Sequence, residues 1–210
     1  MLSQLILTLV MILIAYLLGS IPSGLWIGLY FYHKDLRRYG SGNIGTTNTF
    51  RILGNKAGTI VFIMDVLKGS LATCLPYLFY SPINPLFIGF FAAVGHVFSI
   101  FDHFKGGKAV ATSSGVLLAY NPLLFLVGVV IFAITLLLTS MVSVGSLVVV
   151  LSITIIALIQ HDWILSLLGI VITIGVYYLH RSNIQRIIHG QESMVSFGLG
   201  QYLRKKHSKN

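Results

Sequence analysis

From Met1 to Tyr32 the chain runs for 32 residues without one Asp, Glu, Lys or Arg. No soluble fold of this size has an interior large enough to hide such a stretch together with the others that follow it. Leu5–Tyr32 as one helix would be roughly 42 Å long, more than a bilayer core requires. It must therefore tilt, kink or overshoot, and the break is expected at Gly19-Ser20-Ile21-Pro22-Ser23-Gly24, where proline removes a backbone donor and glycine lets a neighbour approach. No Lys or Arg precedes the apolar run and no small-residue cleavage pattern follows it, so it reads as a spanning helix and not as a signal peptide.

Further apolar runs occupy 59–80, 86–101, 109–120, 123–139, 144–159 and 163–179. Hydrophobic residues make up 56% of the 210, enough for an all-α polytopic membrane protein of about seven spans, within a range of five to seven. The run 109–120 is short for a crossing and reads as a fourth span or a re-entrant piece. No internal repeat stands out, and residues 1–210 read as a single integral membrane domain with a short basic tail at about 198–210. Cys74 is the one cysteine, which rules out an intramolecular disulfide and suits helix packing.

Thirteen of the fourteen Lys and Arg residues fall in three gaps, 33–58, 102–108 and 181–210, and the connections 81–85, 121–122 and 160–162 hold none. If all seven runs cross, basic and neutral connections alternate. That places the N-terminus outside and the C-terminus in the cytoplasm. The cations thus read as membrane-orienting and rim charges, with no nucleic acid as partner.

The first basic gap contains Gly40-Ser41-Gly42-Asn43-Ile44-Gly45-Thr46-Thr47-Asn48-Thr49-Phe50-Arg51. Glycines allow successive N–H groups to converge on an anion, a helix beginning near Thr46 would aim its N-terminal donors there, and Ser41, Asn43, Thr47, Asn48 and Arg51 would add side chains. The plainer alternative is a flexible polar loop. In the second gap Lys105-Gly106-Gly107-Lys108 sets two ammonium groups around a diglycine; it lacks Walker A spacing, so it reads as a phosphate contact or a membrane-orienting anchor. Asp65 and Lys68, one helical turn apart inside a span, are either a structural ion pair or part of the wall of a polar site. His180 and Asn183 share a helix face with Arg186 a turn beyond, so an acid/base group, an amide and a cation are able to address one ligand.

These segments, in order, resemble the three motifs of the bacterial acylphosphate-dependent glycerol-3-phosphate acyltransferases. The first is Gly40 to Arg51; the second runs from Gly95-His96 through Lys105-Gly106-Gly107-Lys108 to Val110-Ala111-Thr112; the third is His180 to Glu192. Ser99 stands where the family often has Pro, and Ala109 where it often has a third Gly. The resemblance implies transfer of an acyl group from acyl phosphate to the 1-hydroxyl of sn-glycerol 3-phosphate, with lysophosphatidic acid and phosphate as products. It also implies no cofactor and no metal, a bacterial cytoplasmic membrane with the site facing the cytoplasm, and a functional link to an enzyme that makes acyl phosphate. On that basis His180, Asn183, Lys108 and Ser41 are expected in catalysis. Arg51, Asn43, Thr47, Asn48, Lys68, Lys105, Gly106, Gly107, Ser143 and Ser146 are expected to contact substrate. His180 is either a general base or a phosphate donor. A transporter of organic anions is the competing class, since broken helices and buried charges also mark transporters. It is disfavoured by the missing repeat, and His-x-x-x-x-Asp acyltransfer is disfavoured because that motif does not occur.

Overall fold

A computed structural model describes residues 2–207, and all its elements are helical. Five helices are long and apolar enough to cross a membrane, or six if the bent pair Trp163–Leu179 and Arg181–Ile188 is one span. The count lies within the expected five to seven. The helix built from 109–120 has 11 residues, about 16 Å of rise against a core of about 30 Å, so it is shorter than an ordinary crossing and is not counted among these five or six. The chain divides into two compact units, 1–122 and 123–210.

Unit 1 contains α1 (Leu2–Ser20), α2 (Ser23–Tyr32), α3 (Thr46–Leu53), α4 (Asn55–Leu78), α5 (Pro85–Val97) and α6 (Val110–Tyr120). The first apolar run does break where proline requires it, because α1 ends at Ser20 and α2 begins at Ser23, just after Pro22. Met11, Ala15, Ala72, Leu75, Ile88 and Ala92 form a buried cluster joining α1, α4 and α5. Small residues let these helices lie close. A Cβ on Gly69 would run into the Thr112 carbonyl of α6, one on Gly115 would run into the Val66 carbonyl of α4, and the Ser70 hydroxyl donates to the Gly115 carbonyl at 2.8 Å. In a lipid surround, where apolar contact gives helices no preference for one another, such close packing and interhelical hydrogen bonds hold them together.

Unit 2 contains α7 (Pro122–Thr139, its first residue closing unit 1), α8 (Val142–Ile159), α9 (Trp163–Leu179), α10 (Arg181–Ile188) and α11 (Leu199–His207). The Asp162 carboxylate accepts the Leu165 N–H at 3.0 Å and so starts α9. Polar pairing ties α8 to α9: the Thr154 and Thr173 hydroxyls lie 2.9 Å apart, and the Tyr177 hydroxyl donates to the Leu147 carbonyl at 3.4 Å. The basic tail is helical through α11, with residues 208–210 outside the described range.

Candidate active site

In unit 1 the first polar loop is held by one amide. Asn48 is 2% exposed; its Oδ1 accepts the Ser41 N–H at 3.0 Å, and its Nδ2 faces the Leu36, Tyr39 and Asn43 carbonyls at 3.3, 3.1 and 2.8 Å. Asn43 Oδ1 accepts the Gly45 N–H at 2.9 Å just before α3. Both asparagines were expected against substrate. The structure gives Asn48, and the side-chain oxygen of Asn43, to the loop itself, because buried backbone groups that lack a ladder need side-chain partners. Ser41, Thr47 and Arg51 remain exposed, with Thr47 and Arg51 one turn apart on α3.

The expected helix start at Thr46 is present, and it is tied into the membrane layer. Thr46 Oγ1 donates to Asp65 Oδ2 at 3.1 Å, while Asp65 Oδ1 pairs with Lys68 Nζ at 2.8 Å. Lys68 Nζ donates also to the Ile21 carbonyl at 2.9 Å, inside the break between α1 and α2. Carboxylate and ammonium are 3% and 5% exposed. Lys68 was placed among the substrate contacts. Its ammonium binds Asp65 and the Ile21 carbonyl, which also accepts the Ser23 N–H at 3.0 Å, so the ion pair that the spacing allowed is formed. His96 joins the same cluster, with Nδ1 3.0 Å from the Thr112 hydroxyl and 3.9 Å from Asp65 Oδ1.

The diglycine of the second loop also answers a packing need. Gly107 N–H donates to the His96 carbonyl at 3.0 Å, a Cβ on Gly106 would overlap that carbonyl, and one on Gly107 would overlap the His96 ring. Gly106 and Gly107 therefore let the loop close on the end of α5. Close approach to α5 is thus one reason for glycine at both positions. Lys105 is exposed and Lys108 half-buried beside them. Ala109 carries φ 57°, a left-handed conformation that glycine adopts without strain. Ser99 has φ −68°, the value proline imposes, and its hydroxyl donates to the Ser20 carbonyl.

An acidic bridge that the sequence reading passed over joins the two loops. Arg37 grips Asp35 through Nε and Nη2, both at 2.9 Å, and reaches Asp102 Oδ1 through Nη1 at 2.7 Å. Hydrogen bonding from Arg37 holds the Asp35 carboxyl below its usual range, against a smaller opposing effect of burial. The available signal was an aspartate at 102 inside a basic segment.

In unit 2 the site is built where α9 bends by 59° into α10. His180 sits at the bend, 4% exposed, and its Nδ1 is 2.8 Å from the Val176 carbonyl. A carbonyl only accepts, so Nδ1 carries the proton, and in the neutral ring Nε2 is the basic nitrogen. Asn183, one turn on and 8% exposed, donates through Nδ2 to Glu192 Oε1 at 2.7 Å. The same oxygen accepts the Ser143 hydroxyl at 2.9 Å, and Glu192 Oε2 accepts Arg186 Nε at 2.8 Å. Burial pushes the Glu192 carboxyl up, but the bonds from Asn183, Arg186 and Ser143 outweigh it and leave the group below its ordinary value. Ser143 thus belongs to the network that orients Asn183, while the Ser146 hydroxyl bonds back to the Val142 carbonyl at 2.9 Å.

The family model for glycerol-3-phosphate acyltransferase matches residues 9–190. The chain belongs to this family. A glycerol-3-phosphate acyltransferase of Limosilactobacillus reuteri is 63% identical over 198 residues, covering 93% of this chain and 95% of the relative, and one of Enterococcus faecalis is 52% identical over 212 residues, covering 96% and 98%. The crystal structure of PlsY, an integral membrane glycerol 3-phosphate acyltransferase in its glycerol 3-phosphate form, superposes with TM-score 0.84 at 34% identity, covering 90% of this chain and 95% of that one. Its lysophosphatidic acid form superposes with TM-score 0.81 at 33% identity, covering 89% and 94%. The family match takes in the first two motif segments and the third as far as Gly190, and runs through both units.

Proposed function

We propose that this integral membrane acyltransferase moves a fatty acyl group from acyl phosphate to the 1-hydroxyl of sn-glycerol 3-phosphate. The hydroxyl oxygen forms a new bond to the acyl carbonyl carbon, the bond from that carbon to the phosphate oxygen breaks, and inorganic phosphate and lysophosphatidic acid leave. The hydroxyl proton passes to His180 Nε2 or to a substrate phosphate oxygen. Ser41, Arg51 and Lys108 are assigned to phosphate, each substrate bringing about −1.5 to −2 if it ionises as a phosphomonoester. Asn183 is assigned to a substrate oxygen, with Glu192 setting the rotation of its amide. Thr47 and Lys105, both exposed in unit 1, are secondary phosphate contacts.

The observation that carries this reading is the partner of His180. A backbone carbonyl, not a carboxylate, holds Nδ1, so the arrangement lacks the Ser-His-Asp logic that would form an acyl-serine. Direct transfer from a donor that is already a mixed anhydride needs only positioning and charge stabilisation. The reading carries with it one acyltransferase domain across both units, a bacterial cytoplasmic membrane with the basic connections inside, and dependence on an enzyme that supplies acyl phosphate. Purified protein given glycerol 3-phosphate with acyl phosphate or with acyl-CoA tests it: ester forms from acyl phosphate alone, and equal use of the thioester overturns the proposal.

A further inference from the structure

The family match stops at residue 190, yet the described residues beyond it, 191–207, are tied to the rest of unit 2. They return to the end of α7. The Val195 N–H donates to the Ser140 carbonyl at 2.8 Å, and the Gln201 N–H donates to the Ser140 hydroxyl at 2.9 Å. Ser140 itself is fully buried. Two glycines permit the approach. Gly198 has φ 93° and lies where a Cβ would crowd the Leu137 carbonyl, and a Cβ on Gly200 would overlap the Thr139 carbonyl.

These contacts set the height of α11. The span α7 is an 18-residue apolar helix that ends at Thr139, with Leu137 and Leu138 exposed on its last turn as a lipid-facing surface. A helix fixed to Ser140 begins where hydrocarbon gives way to headgroups. Its composition suits that layer. Leu199, Tyr202 and Leu203 fall on one side and are exposed, as is Phe197 just before them. Gln201, Arg204 and Lys205 fall on the other, where with Met194 they line an open cavity of about 340 Å³. Lys206 follows on the side of Tyr202 and Leu203 near the helix end, where its long stem lets the ammonium reach the headgroups, and no acidic residue occurs from 193 to 210.

We infer that α11 is an interfacial helix that binds the anionic phospholipid of the leaflet at the α7–α8 turn. Leu199, Tyr202 and Leu203 enter the acyl boundary, and Arg204, Lys205 and Lys206 meet phosphate headgroups. Charge selects the occupant: apolar burial alone works on any bilayer, whereas three cations raise the bound-to-free ratio of the helix by about 10²-fold on an anionic surface. The inference is independent of the acyl donor.

The test uses full-length protein reconstituted into vesicles of phosphatidylcholine alone or with three parts in ten phosphatidylglycerol. In a Cys74→Ala background, Tyr202→Cys carries a polarity-sensitive fluorophore, and amide hydrogen exchange over 199–207 is followed in unlabelled protein. The expected result is emission further to the blue and slower exchange in the anionic vesicles than in phosphatidylcholine alone, the difference being removed by molar salt and absent in R204Q/K205Q/K206Q. Equal emission and equal exchange in the two lipids would overturn the inference, as would an unchanged response in the triple variant. If that variant fails to fold, the comparison between lipids in the parent protein still decides.

Discussion

Removing the carboxylate of Asp65 leaves an ammonium in the middle of unit 1 with a single carbonyl for company. The pair is 2.8 Å apart at 3% and 5% exposure, which at an effective dielectric constant of about 20 is an attraction of roughly 6 kcal/mol before desolvation is charged against it. Breaking one side of a buried pair typically costs about 3–5 kcal/mol, because the partner stays buried and unmatched. Asp65→Asn and Lys68→Met are each expected to destabilise unit 1 by that amount. Asp65→Leu with Lys68→Met removes both charges and loses only the hydrogen bonds to Thr46 and the Ile21 carbonyl, about 1 kcal/mol each. The double variant is thus expected to be more stable than either single one. Trp26 and Trp163 lie in separate units, so in a Trp163→Phe background the fluorescence of Trp26, packed against Phe101 at 5.9 Å between ring centroids, reports unit 1 during reversible unfolding in sodium dodecyl sulfate. Strictly additive losses in the double variant would refute the buried-pair argument, as would an Asp65→Asn protein with the parent midpoint.

Glu192→Gln puts a donor opposite Arg186 or Asn183, so it is expected to cost about 1.5–3 kcal/mol of unit 2 stability and to lower turnover by loosening Asn183, read by Trp163 fluorescence in a Trp26→Phe background alongside steady-state kinetics. Because the Glu192 carboxyl is depressed relative to the unfolded chain, its contribution is fully present above the unfolded value of about 4.5 and is lost as pH falls through the lower folded value; the parent's pH dependence of unfolding below 4.5 should therefore flatten in the variant. His180→Ala and Asn183→Ala should each reduce turnover by about 10²-fold or more with folding retained; near-parental rates in either variant would remove that residue from the catalytic set. Ala109→Gly relieves a left-handed residue and should raise unit 1 stability by about 1 kcal/mol, measured with the same Trp26 signal. Cysteines introduced at Arg37, Lys105 and Arg204 should all be labelled from the cytoplasmic side, and outside labelling of any one contradicts the proposed topology.

The spans and the break at Pro22 were legible because hydrophobic length and proline act locally. The short helix at 110–120 left its own role ambiguous for the same reason, since 11 residues, three of them Thr or Ser, satisfy neither a full crossing nor a loop. Asn48, Lys68, Gly106 and Gly107 stood out in the sequence as unusual, but the protein groups they meet did not. Each meets another part of the protein, a pairing made by tertiary packing over separations that no local pattern encodes. The acidic residues show this most clearly. All five have a structural partner: Asp35 and Asp102 hold Arg37, Asp65 holds Lys68, Asp162 starts α9, and Glu192 orients Asn183. In a chain of formal net charge +9, carboxylates are few and serve to position cations and amides, and this role was readable only from the contacts.

The most direct measurement follows phosphate and ester together in single turnovers of purified protein, with acyl phosphate labelled in its phosphoryl group and glycerol 3-phosphate in excess. Direct transfer predicts one labelled inorganic phosphate released for each acyl ester formed, both appearing with the same rate constant and with no acyl group retained on the protein. A burst of phosphate ahead of ester, with an acylated protein in between, would contradict the account.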